Sequence, residues 1–310
     1  MNILPTSTQP YRASLSTMWA IQNFDHLEDF FIAAGQYGYD KIELNHQISP
    51  AMLEGIDLER YRFSSVHEPC PTALSTDELK SRDWQISSPD EQNRARGVES
   101  IKRSIDLAHQ LNAPVVVVHG GQIPDPLNRE RQLRRLYRAG QKDSEAYAAL
   151  KREMTAEREA ASGPHLEAVK RSLASLLDYA APLKVRLGLE NRFHYMDIPS
   201  PDEMAQLLAL GAPEALGFWL DTGHALVLER LGLFAQAEWL ERFSGRIVGI
   251  HLHDVTGIDD HGAPGFGEAN FDHLCGYVPK HAIRTFEVKP SVPAAQLQES
   301  LRLMTQKGCL

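Results

Sequence analysis

The 310-residue chain is 43% hydrophobic and 24% charged, which supplies the apolar content of a sizeable core and excludes the composition of a disordered protein. Its length fits either two average domains or one large α/β barrel. A formal net charge of −9 speaks against binding long nucleic acid through a general basic field, though not against a local basic groove.

The first twenty residues, MNILPTSTQPYRASLSTMWA, contain no basic segment followed by an unbroken apolar run, and nowhere do ~18 apolar residues stand together. The expected location is cytoplasmic. Cys70, Cys275 and Cys309 are odd in number, widely spaced and never in a CxxC pair, so reduced thiols are expected. Any metal would then be held mostly by nitrogen and oxygen.

Eight β-type runs follow in order: RASLS from Arg12, KIELN from Lys41, RFSSVH from Arg62, PVVVVHGG from Pro114, VRLGLEN from Val185, LGFWLD from Leu216, RIVGIHLHD from Arg246 and IRTFEV from Ile283. Amphipathic segments such as DHLEDFFIAAGQYG and ESIKRSIDLAHQLNA lie between them, with apolar residues near i, i+3, i+4 and i+7. Strict strand-helix alternation implies a parallel sheet, and eight units at this length predict one α/β domain over residues 1–310, a closed (β/α)8 TIM barrel. No GxGxxG or Walker A sequence follows any strand and no GxSxG elbow is present, which disfavours nucleotide-dependent and serine-hydrolase chemistry.

The longest connection follows the fourth strand, from Gln122 to about Ser162, and reads as a helical insertion of two charged helices broken near Ala139-Gly140. Arg131, Arg135 and Arg138 share one helical face, which would suit a lid over an anionic substrate. The plainer reading, preferred here, is a solvated insertion whose arginines pair with Glu130, Glu153 and Glu157.

The C-terminal ends of the runs carry Glu43, His67, His119, Glu190, Asp221, His251 with His253, and Glu287. Each is a potential metal ligand, and the C-terminal end of such a barrel is where side chains from several strands converge. Singly, each has a structural reading: His67 and His119 as core histidines, Glu190 and Glu287 as partners of Arg192 and Lys289, and Asp221 in DTGH as a helix cap. Together they argue for a cation, because burying several carboxylates side by side is costly unless something neutralises them. Nitrogen and carboxylate donors without thiolate suit a divalent metal, zinc or manganese first, then iron, cobalt or magnesium.

The motifs VHEPC, VVVVHGG, LGLENR, WLDTGHA, GIHLHD, DDHGAPGFGE and TFEVKP, between His67 and Pro290, resemble the xylose isomerase-like TIM-barrel superfamily. That superfamily includes sugar and sugar-phosphate isomerases and epimerases and the endonuclease IV-like enzymes of AP endonuclease family 2. The resemblance implies a central metal site of Glu190, Asp221, His251 and Glu287. On the endonuclease side it implies further ligands at His67, His119, His224, Asp259 and His261, so that one to three ions are expected.

In the first reading the chain is a metal-dependent sugar or sugar-phosphate isomerase or epimerase. Glu190 and Glu287 exchange protons beside a carbonyl polarised by the metal. Glu43, His224 and His253 are expected at the substrate, with His224 orienting a hydroxyl if it binds no second ion. The alternative is an endonuclease IV-like zinc phosphodiesterase acting on abasic DNA, and nucleic acid is a partner only there. The start RASLSTMWA departs from the G-x-H-V-S pattern of that branch, while YGYDKIELN looks like the sugar enzymes. A non-catalytic sugar- or metal-binding barrel is the third reading. A small carbohydrate is the expected partner, with no membrane, and self-association is open.

Overall fold

The computed structural model of the chain describes residues 11–72 and 74–310; the leader-free reading of the N-terminus falls largely on residues 1–10, outside that range. Ten strands are present among the described residues: β1 (Tyr11–Ser16), β2 (Tyr39–Leu44), β3 (Phe63–His67), β4 (Val115–Val118), β5 (Arg186–Glu190), β6 (Leu216–Asp221), β7 (Ile247–Leu252), β8 (Asp254–Thr256), β9 (Asp259–Gly262) and β10 (Ile283–Phe286). Eight of them close into a barrel in the order β1-β10-β7-β6-β5-β4-β3-β2, and every neighbouring pair is parallel. The architecture is a TIM barrel. The remaining two, β8 and β9, form an antiparallel hairpin after the seventh barrel strand, an element the sequence did not announce.

Alternation along each barrel strand decides which residues face inward. In β4 the run of four valines is buried throughout: Val116 and Val118 join the large apolar layer beneath the helices, while Val115 and Val117 fill the barrel interior with Trp219 and Val248. In β5, β6 and β7 the outward positions Leu187, Leu189, Phe218, Leu220, Ile250 and Leu252 belong to the same outer layer. The inward positions at the strand ends are therefore Glu190, Asp221 and His251. Trp219 fills the interior below them because Gly249 leaves room; a Cβ there would stand 2.2 Å from Cζ3 of the indole.

Eleven helices complete the described chain: α1 (Leu27–Tyr37), α2 (Pro50–Leu53), α3 (Thr76–Ser81), α4 (Glu91–Gln110), α5 (Arg129–Arg138), α6 (Glu145–Leu183), α7 (Pro201–Leu208), α8 (Thr222–Arg230), α9 (Gln236–Phe243), α10 (Phe271–Leu274) and α11 (Ala294–Gln306). The connection after β4 does break at Ala139-Gly140, but its second helix does not stop near Ser162. It continues through Gly163 and Pro164 because Leu166, Val169, Leu173 and Leu176 bury a stripe beside α4, and that packing overrides the local helix-breaking preference. Within α5 and α6, Arg129 pairs with Glu153 and Glu157, and Arg134 with Glu130, whereas Arg138, one of the three arginines of the shared face, pairs with Asp259 instead.

Cysteine usage differs from expectation. Cys275 and Cys309 are joined in a disulfide with Cα atoms 5.0 Å apart, and only Cys70 is free, buried among apolar side chains. The left-handed turn at Gly308 (φ +71°) sends the chain after α11 back under α10, where Cys309 meets Cys275. A pairing created by that return is invisible in residue spacing. No helix among the described residues is long and apolar enough to cross a membrane.

Candidate metal centre

Glu190 at the end of β5, Asp221 at the end of β6, His251 in β7 and Glu287 just beyond β10 converge so closely that one ligand atom from each lies within 4.8 Å of all the others. His251 Nδ1 stands at the middle, 2.7 Å from Glu190 Oε1, 3.2 Å from Glu287 Oε2 and 3.6 Å from Asp221 Oδ2. All four side chains are buried. On the other edge of the ring, Nε2 lies 3.2 Å from both carboxylate oxygens of Glu43, whose Oε2 also accepts the Ser65 hydroxyl at 2.7 Å. Nε2–H therefore donates to Glu43 and leaves Nδ1 as the ligand nitrogen, the carboxylate–histidine arrangement that fixes a metal ligand's tautomer.

Electrostatics supports a cation here. Burial alone would strip the proton from His251, but Glu287 and Glu43 hold its pKa well above the ordinary histidine value. Burial, together with the charges of Glu43, Glu190 and Asp221, pushes Glu287 up to about 8 against the opposing pull of His251. Burial also works against ionised Glu190, yet Arg192, His119 and His251 bring its pKa well below the usual carboxylate range. Without an ion the group thus keeps protons on His251 and Glu287 to moderate its own negative charge.

A second group lies alongside. His67 Nε2 and His119 Nε2 are 3.1 Å apart, and His119 Nε2 is 3.1 Å from Glu190 Oε2. Two nitrogens bound to one tetrahedral ion at 2.0–2.1 Å stand about 3.3 Å apart, so the separation suits shared coordination. His67 Nδ1 donates to the Glu68 carbonyl at 3.0 Å, which leaves Nε2 as its free lone pair.

A third group occupies the mouth beside the β8–β9 hairpin. His224 Nδ1 donates to the Asn191 carbonyl at 3.1 Å and His261 Nδ1 to the Glu287 carbonyl at 3.0 Å, so both rings present Nε2. Asp260 Oδ2 lies 3.8 Å from the first Nε2 and 3.6 Å from the second. The central and second donor sets combine imidazole and carboxylate, the third is His224, His253 and His261 with Asp260 nearby, and the central set, its ring tautomer fixed by Glu43, fits a divalent ion.

A family model described as xylose isomerase-like TIM barrel matches residues 31–307. The chain belongs to that family. An uncharacterised protein of Methanocaldococcus jannaschii is 24% identical over 235 residues, covering 73% of this chain and 69% of that protein. Among solved structures, a D-tagatose 3-epimerase-like protein is 19% identical with a TM-score of 0.65, the match covering 95% of this chain and 96% of that one. An IolI protein solved with a bound zinc atom is 14% identical with a TM-score of 0.65, covering 96% and 97% of the two chains. At these identities the structural likeness is one of fold.

Within this family member, three residues sit differently from the sequence-based expectation. Asp259 is turned outward, two-thirds exposed, with Oδ1 on Arg138 Nη2 at 2.8 Å, and does not reach His224. A regular strand would have put Asp259 and His261 on one face, but His261 adopts φ +54°, which breaks the alternation and brings Asp260 in instead. Glu43 and His253 are fully buried behind the ligands rather than open to a substrate. Both ring nitrogens of His253 are engaged: Nε2 lies 2.9 Å from Asp221 Oδ1, and Nδ1 accepts the His261 backbone N–H at 3.0 Å. It is a brace between Asp221 and the hairpin.

Two structural readings from the sequence coexist with the site. Asp221 Oδ1 accepts the His224 N–H at 2.7 Å and so caps α8, while its Oδ2 faces His251. Glu190 does pair with Arg192, whereas the Lys289 backbone N–H donates to the His261 carbonyl. Side chains that the strand-end survey missed are His46, Glu68 and Arg192. The His46 ring packs 5.4 Å from that of His67, with Nδ1 buried and without a hydrogen-bond partner among the described residues. Glu68 Oε1 accepts the His119 N–H at 2.9 Å. Arg192 was legible in principle: the two-residue period of LGLENR, continued past the end of β5, places it on the same side as Glu190.

Proposed function

We propose that the chain is a metal-dependent sugar or sugar-phosphate epimerase or isomerase acting by proton transfer at a carbon next to a carbonyl. The observation that carries this reading is the placement of Glu190 and Glu287 on either side of His251 Nδ1, at 2.7 and 3.2 Å, from strands separated by β6 and β7. Two carboxyl groups approaching one ligand atom from strands three positions apart in the barrel suit removal of a proton by one and its return by the other. The likeness in fold to a D-tagatose 3-epimerase-like protein supports the same substrate class.

A divalent ion in the Glu190, Asp221, His251 and Glu287 group supplies Lewis acidity toward a carbonyl and its neighbouring hydroxyl. The chain's own residues divide the proton work. Glu190, kept ionised by Arg192, His119 and His251, is the acceptor. Glu287, 3.2 Å from His251 Nδ1 on another strand, is the group that returns the proton. Asp221 and His251 would hold the ion, with Glu43 and His253 keeping those two side chains in orientation.

A second reading, hydrolysis of a phosphodiester at abasic DNA, is favoured by one observation: the further groups at His67 with His119 and at His224 with His261, which offer donors for additional ions. A panel of ketoses and ketose phosphates, incubated with zinc- or manganese-loaded protein and with EDTA-treated protein, separates the two. The expected result is metal-dependent appearance of an epimer or isomer and no nicking of an abasic duplex. Nicking without conversion of any sugar would replace the first reading by the second.

A further inference from the structure

The pocket formed by His67, His119 and Glu190 differs from the central group in one respect: a side-chain cation of the same chain already stands in it. Arg192 Nη1 bonds Glu190 Oε2, the same oxygen that lies 3.1 Å from His119 Nε2. An ion taken up by His67 Nε2, His119 Nε2 and Glu190 Oε2 would share that oxygen with a guanidinium in hydrogen-bond contact. The protons on His251 and Glu287 can leave as an ion enters the central group. A guanidinium keeps its charge at any accessible pH, so its repulsion of a neighbouring ion persists.

Several contacts keep Arg192 where it is. Its side chain is only 12% exposed, and its Nε lies 3.6 Å from Asp197 Oδ2, a buried oxygen with no hydrogen-bond partner among the described residues. Asp197 is itself positioned by its backbone, whose carbonyl accepts from Arg158 Nη2 at 3.1 Å. The guanidinium therefore has a carboxylate on each side, Glu190 and Asp197, both of them buried. Lys80 Nζ, 4.0 Å from Asp197 Oδ1, adds a second positive charge to the same wall.

We propose that Arg192 is the resident cation of the His67, His119 and Glu190 pocket and keeps a divalent ion out of it. The inference rests on the reading that the central group holds an ion, and it assigns Glu190 to that ion alone. The two histidines then line the space beside the central group without holding an ion of their own.

Counting zinc per chain in metal-stripped and reloaded full-length protein, by mass spectrometry and calorimetric titration, tests it. His119→Ala alone is expected to hold as many ions as the unmodified chain. Arg192→Gln is expected to take up one more ion per chain, and Arg192→Gln/His119→Ala to lose it again. Loss of an ion in His119→Ala, or no gain in a folded Arg192→Gln, overturns the proposal. If Arg192→Gln does not fold by circular dichroism, His119→Ala decides by itself: an unchanged count supports the proposal and a lost ion refutes it. His251→Ala reports separately on the underlying reading, because an ion retained there is not held by the central group, whatever Arg192 does.

Discussion

The imidazole of His251 is held edge-on between two carboxylates, with Nε2 3.2 Å from both oxygens of Glu43 and Nδ1 2.7 Å from Glu190 Oε1. The first contact determines the second, because a ring that donates from Nε2 offers Nδ1 to the cluster. Glu43 does this from β2, across the barrel from β7, and it is locked by the Ser65 hydroxyl. Glu43→Ala is expected to weaken zinc binding about 10- to 100-fold, the usual cost of removing a ligand's orienting carboxylate. Glu43→Gln keeps an acceptor oxygen and should recover part of the loss. Calorimetric titration checks this; affinity unchanged in Glu43→Ala would show that the ring needs no such partner.

Metal uptake should release protons. The pKa of His251 is raised well above its ordinary value and that of Glu287 to about 8, so both groups carry protons at neutral pH in the metal-free chain and must lose them to become ligands. Exchanging two protons for a divalent ion leaves the net charge of the group unchanged. Because the metal-free form binds more protons, apparent affinity rises with pH, and its slope falls above about 8 as Glu287 becomes ionised without help. Titrations at pH 6 to 7 in buffers of different ionisation enthalpy should give about two protons released per ion. Release near zero would mean that the ion binds elsewhere.

Arg158 in α6 makes two bonds to Glu203 in α7, at 2.6 and 3.0 Å, and donates to the carbonyls of Tyr195 and Asp197 at 2.8 and 3.1 Å. Both side chains are 7% exposed, so removal of either leaves a buried charge uncompensated. Arg158→Ala is expected to cost about 3–5 kcal/mol in urea unfolding. It should also loosen the segment that carries Arg192 and Asp197, and so raise KM more than it lowers kcat. A loss below about 1 kcal/mol would place this pair among contacts of little net worth.

The barrel was legible because its signals are local and repeated. Each β-type run with inward residues at period two became a barrel strand, and the acidic and imidazole residues at the ends of the runs fell on the inward side. What escaped depends on tertiary detail. One positive φ at His261 exchanges Asp259 for Asp260 at the mouth, and no residue pattern signals it. The passage of α6 through Pro164 is decided by the apolar stripe beside α4. The disulfide arises from the return of the chain after α11. Glu43 and His253 were correctly placed near the centre by strand position, but whether a side chain touches substrate or braces a ligand depends on what lies on its far side.

The central claim is that Glu190 and Glu287 carry a proton to and from carbon in a metal-dependent reaction. Its most direct test is NMR of ketose and ketose-phosphate substrates in D2O with metal-loaded protein, following exchange of the hydrogen on the carbon beside the carbonyl. The account predicts deuterium incorporation at that carbon, abolished by EDTA and reduced at least about 100-fold in Glu190→Gln and in Glu287→Gln. Incorporation that persists in both variants, or its absence with every substrate, would contradict it.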